Sequence, residues 1–94
     1  MFNKLIKEAY KLSKAGYLVG ILYNSGKTIG FKEIKEEDLD KLLEDLKWDM
    51  LYLKSVPTDT EIQIYENELK DFKVKASEET LYVLTTHGET RLMY

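Results

Sequence analysis

The chain predicts an α+β fold: an antiparallel sheet with two helices packed on one face, in the order α-β-β-α-β-β-β-β. Three observations lead there. In two stretches, one at the start and one from residue 35 onward, apolar residues recur every three or four positions, the period of a helix with one buried face. Elsewhere apolar and polar residues alternate, as in half-buried strands. The links between alternating stretches are short and rich in turn residues, which suits antiparallel neighbours.

Phe2 to Ala15 reads as the first helix. Phe2, Leu5, Ile6, Ala9 and Leu12 line one face, Asn3 is placed as a cap, and Gly16 as a terminator. Tyr17–Tyr23 and Thr28–Ile34 follow as strands joined by Asn24-Ser25-Gly26-Lys27. Pairing Tyr23 with Thr28 sets Gly20 opposite Phe31 and Ile21 opposite Gly30, so that each glycine leaves room for a large partner. A second helix opens at Lys35 and runs to about Leu53, its first-turn acids favoured by the helix dipole. Leu39, Leu42, Leu43, Leu46, Met50 and Leu53 form its buried stripe. Pro57, in the Ser55–Asp59 connector, blocks continuation. Ile62–Tyr65, Phe72–Ala76, Leu81–Thr85 and Thr90–Tyr94 alternate as strands, and Glu66–Leu69 also fits a helical turn.

Ninety-four residues bound one compact domain, 1–94, with 44% hydrophobic residues to fill a core. Cysteine is absent, which excludes disulfides, thiolate metal sites and cysteine nucleophiles. No apolar leader begins at Met1, and the longest apolar run, Tyr17–Tyr23, is too short to span a bilayer. A cytoplasmic protein without a membrane partner is expected. The net charge of −3 is uneven: residues 1–32 carry +5, residues 33–68 carry −8, and the remainder is neutral. Such asymmetry bears on partners rather than on fold.

Ser25-Gly26-Lys27-Thr28 has the look of a phosphate-binding loop. Five residues rather than four separate Gly20 from Gly26, however, and a strand rather than a helix follows. Without a helix N-terminus there is no row of free amides for a phosphate, so the string reads as a hairpin turn. His87, near Glu89, could act as a base, but no nucleophile is placed beside it, and an exposed turn residue is the expected reading. Glu36-Glu37-Asp38-Asp40 opens a helix and lacks the interior glycine of a calcium loop. No cofactor or metal is expected, and no catalysis.

Two surfaces remain. Lys4, Lys7, Lys11 and Lys14 share one sector of the first helix and could follow a nucleic-acid backbone, or form a solvated face. On the second helix, Trp48 and Tyr52 lie about 200–240° around from the leucine stripe and one turn apart, flanked by Glu37, Lys41, Glu44 and Asp45. An acidic helix with an aromatic pair suits a partner protein or a second copy, unless later strands cover Trp48. In size, acidity and lack of catalytic groups the chain resembles small interaction proteins of viruses and other mobile elements, including inhibitors. The expected function is therefore a protein-binding module of inhibitor or adaptor type. A nucleic-acid-associated regulator is the alternative, and a small enzyme or ligand-binding module the third.

Overall fold

The computed structural model describes residues 3–94, so the expectations attached to Met1 and Phe2 lie outside them. Helix α1 spans Asn3–Lys14 and buries Leu5, Ile6, Ala9, Tyr10 and Leu12, the face its periodicity marks out. It stops at Lys14, and the chain turns away at Gly16, whose φ of 107° is a conformation that L side chains rarely adopt. Asn3 lies inside the helix and donates through Nδ2 to the carbonyl of Leu43, instead of capping. The hydroxyl of buried Tyr10 donates to the Ile34 carbonyl at 2.9 Å, so its burial leaves no polar group unpaired.

Strands β1 (Tyr17–Tyr23) and β2 (Lys27–Gly30) form the expected hairpin, and α2 (Glu36–Asp45) follows. Then come β3 (Trp48–Ser55), β4 (Thr60–Tyr65), β5 (Leu69–Lys75), β6 (Thr80–Thr85) and β7 (Gly88–Met93). Every strand pair is antiparallel, and the fold is α+β. The strands divide between two sheets, one ordered β2-β1-β3-β4 and one ordered β5-β6-β7. A 3-10 turn at Glu66–Glu68 joins the sheets, at the boundary where the sequence fits a helical turn. One contiguous core draws on both helices and the facing side of each sheet, including Val19, Ile21, Leu51, Leu53, Ile64, Leu81, Val83 and Leu92.

Three further expectations are corrected. The second helix stops at Asp45 instead of reaching Leu53, because Trp48–Ser55 is the strand that joins β1 to β4. Helical continuation would have left the ladders of both neighbours unmade, and backbone groups without partners are costly when buried. Met50 consequently leaves the leucine stripe for the outer side of the sheet, whereas Leu39, Leu43, Leu46 and Leu53 stay buried.

The second correction concerns register. Tyr23 pairs with Lys27, not Thr28, which sets Gly20 directly opposite Gly30 and Ile21 opposite Ile29. The loop is one residue shorter than expected, with Asn24 and Ser25 both at positive φ, as the centre of a type I′ turn requires. Gly26, at φ 140°, closes it by donating to the Tyr23 carbonyl. The third is that β2 ends at Gly30. Phe31–Glu33 forms a 3-10 turn that drops Phe31 into the core.

The open face of the four-stranded sheet

The aromatic pair on which the sequence placed most weight is separated by a bulge. In β3, Trp48 pairs with Tyr23 and Met50 with Leu22, so Asp49 is an extra residue in the ladder. The bulge rotates Trp48 onto the inner side with Leu51 and Leu53, where it is only 2% exposed. Tyr52 remains on the outer side. Glu37, Lys41, Glu44 and Asp45 are exposed on α2, whose buried Leu39 and Leu43 belong to the shared core. The six residues therefore form no common patch: one is core, one lies outside the sheet, and four lie on the helix beyond the core.

Both helices contribute to the core on one side of the four-stranded sheet, and its other side is open. Cross-strand register arranges that side in rows. One row runs Gly30, Gly20, Tyr52, Gln63, and the next runs Thr28, Leu22, Met50, Tyr65. Leu18 lies opposite Lys54, which lies opposite Glu61. Leu18 is 39% exposed and Tyr65 41%, while Leu22, Met50 and Tyr52 are half-buried. The paired glycines form the floor of a trough, with a recess of about 540 Å³ walled by Leu22, Thr28, Glu33, Met50 and Tyr52.

Neither glycine answers a backbone need. Gly30 sits at φ −87° and ψ 140°, ordinary extended backbone, and a Cβ there would meet nothing within 4 Å. At Gly20 a Cβ would lie 3.4 Å from the Ile29 carbonyl oxygen, an ordinary contact. Glycine in a strand interior is destabilising by about 0.5–1 kcal/mol against alanine, and at Gly30 no contact in the fold offsets that cost. Glycines in strands often mark the close approach of another molecule.

Packing raises the phenol of Tyr52 above its ordinary pKa, and its hydrogen bond to the Glu61 carboxylate adds to the shift. Lys54 is paired with Asp59 at 3.0 Å. Lys54 and Glu61 are neighbours on the face, and Glu33 stands at the wall of the recess.

The outer side of the three-stranded sheet differs. Tyr82 lies between Lys75 and Arg91, whose charged groups stand 5.1 and 5.5 Å from its ring centroid, and its hydroxyl donates to Glu78. Arg91 also pairs with Glu89 at 3.2 Å. Lys75 lies 3.9 Å from Glu78, so both cations beside the Tyr82 ring have a carboxylate partner.

The lysine ridge of α1 is partly engaged. Lys7 pairs with Asp40 of α2 at 2.5 Å, Lys11 with Glu8 at 3.1 Å, and Lys14 lies over the Tyr10 ring at 5.2 Å. Less positive charge is free for phosphates than the sequence spacing implies. His87 sits in the β6–β7 turn, its Nε2 2.8 Å from the Glu68 carboxylate. Among the described residues no three His, Asp or Glu side chains converge as metal ligands do, and no helix is long and apolar enough to cross a membrane.

The phosphate-loop look of Ser25–Thr28 also resolves. The Ser25 amide donates to the Asp49 carboxylate at 3.0 Å, and the Gly26 amide to Tyr23. A fixed anion already occupies the turn. Set against known proteins, the chain matches no family model, no curated protein and no solved structure.

Sequence reasoning missed Leu18, Gly20, Leu22, Gly30, Met50 and Tyr65 as members of one surface. The signal that could have found them is the pair of glycines in adjacent alternating strands, read in the register a three-residue loop imposes.

Proposed function

We propose that this chain is a protein-binding module without catalysis, of inhibitor or adaptor type, whose contact surface is the outer side of the four-stranded sheet. The observation that carries the reading is an apolar face left open around a glycine trough, on a sheet whose opposite side holds both helices. Apolar patches rimmed by polar residues mark interaction sites on small soluble proteins. Tyr52 is the central aromatic, and large rigid side chains of this kind anchor interfaces.

The acids of α2 play a separate part. They are exposed on the helix and not on the sheet's outer side, so they do not border the proposed surface. Their role is solubility and, through Asp40, the fixing of Lys7.

Photo-crosslinking tests the reading. A benzoyl-phenylalanine in place of Tyr52 is expected to form protein adducts in an extract of the native cell, while the same label in place of Glu37 does not. Adducts from position 37 alone would move the surface to α2, and the reading would fail.

A further inference from the structure

We infer that the open face binds a second copy of this chain, two sheets packed face to face about a two-fold axis, with Tyr52 of each copy over Gly20 of the other. The inference rests on the protein-binding reading and names the partner. The register of the sheet supplies the geometry. A two-fold axis lying between the two sheets, parallel to the strands and midway between β1 and β3, sets β1 of one copy over β3 of the other and β2 over β4. Gly20 and Tyr52 are direct cross-strand neighbours, so this operation places each tyrosine over the partner's glycine within the same row. Gln63 then lies over Gly30, Leu22 over Met50, and Thr28 over Tyr65.

Bulk is complementary in the glycine row, where Tyr52 lies over Gly20 and Gln63 over Gly30, and again where Tyr65 lies over Thr28. Packed sheets stand about 10 Å apart, with a relative twist of about 30°, and the Tyr52 ring, its hydroxyl tied to Glu61, adds bulk above β3 that a small residue opposite accommodates. Gly20 is that residue. The trough also explains why glycine stands at two positions where the fold tolerates a side chain.

Charge points the same way. Each copy carries −3, and α2 alone holds six acids against one lysine, so two copies meeting through their helices would repel. The outer sheet face carries fewer acids, Glu61 and Asp59 beside Lys54 and Glu33 at the recess wall, and turns both α2 helices outward, which makes it the side on which like copies repel least. Area sets the strength. Four strands at the usual spacing present a plane about 20 Å by 20 Å. That is smaller than the roughly 800 Å² per partner of a standard interface, which puts the dimer among the weak, reversible ones.

Sedimentation velocity, from low micromolar to several hundred micromolar protein, tests this directly. The expected result is a concentration-dependent shift from monomer to dimer, with photo-adducts at position 52 at twice the 11.0 kDa chain mass. Gly30→Val, which fills the trough on ordinary extended backbone, is expected to keep the circular dichroism spectrum while weakening dimerisation by about tenfold or more. Tyr52→Ala is expected to do the same, and keeps the test decisive if the valine variant misfolds. Wild-type protein that stays monomeric throughout, or well-folded variants that dimerise unchanged, would overturn the inference. A monomer whose position-52 adducts contain a different protein overturns the second copy but upholds protein binding. A monomer without adducts overturns both.

Discussion

Trp48 shows how one residue changes role when its element changes. On a continued helix it would point away from the leucine stripe. On β3 the bulge at Asp49 turns it inward, and it is buried in the same core as Leu46, Leu51 and Leu53. A recess bounded by Leu46, Lys47, Trp48 and Glu66 borders it, so its burial depends on the segment joining the two sheets. We predict that Trp48→Ala destabilises the protein by about 3–5 kcal/mol, the usual cost of emptying a large aromatic site. Denaturant unfolding checks this. A midpoint within error of wild type would mean that the indole is not core. In the native protein its fluorescence is expected to be blue-shifted and poorly quenched by iodide.

At the scale of elements, the β1–β2 hairpin and the α2–β3 connector lock each other. Asn24 donates its amide to the Lys47 carbonyl at 2.9 Å and accepts the Lys47 amide on Oδ1 at 3.0 Å. Asp49 holds the Ser25 amide. The lock ends α2 two residues before β3 and supports two non-glycine residues at positive φ, a conformation that asparagine tolerates better than most. It also consumes the amides that a phosphate would need, and sets a carboxylate in their place. Calorimetric titration with ATP or GTP and Mg²⁺ is therefore expected to show no binding through Ser25–Thr28. Micromolar affinity abolished by Lys27→Ala would refute this. Asn24 itself was legible as a turn residue, but its bonds to Lys47 were not, because they join positions 23 residues apart.

Across the whole molecule, the last residue closes onto the first helix. The Tyr94 hydroxyl donates to Glu8 of α1 at 2.5 Å, and the Tyr94 amide bonds the Glu79 carbonyl at 2.9 Å. Burial, then the hydrogen bond to Glu8, pushes the Tyr94 phenol well above its ordinary pKa of about 10. Tyr52 and Tyr82 shift in the same direction. The folded protein thus holds these protons more tightly than the unfolded chain. The stabilisation is complete below about pH 10, and is lost as pH rises past it, because the unfolded state deprotonates first. Thermal unfolding followed from pH 8 to about pH 11 should show a falling midpoint. Tyr94→Phe should start lower and fall less steeply. An equal slope for both proteins would remove Tyr94 from the account.

The sequence by itself determined the fold class, the order of the elements, the buried faces of both helices and the refusal of a phosphate loop. Each rests on local physics: a helical or strand period, a dipole, or a turn residue beside a strand. Only the tertiary structure decided where α2 ends, which way Trp48 points, which glycines face each other, and that the strands form two sheets. The stretch from Trp48 to Leu53 satisfies both a helical stripe and a strand alternation. The choice fell to β1 and β4, which need a strand between them. Likewise, a one-residue change of hairpin register is nearly silent in the local pattern, yet it carries every side chain to a new neighbour. The open face exists because of that register, since it places Gly30 beside Gly20 and Gly20 beside Tyr52.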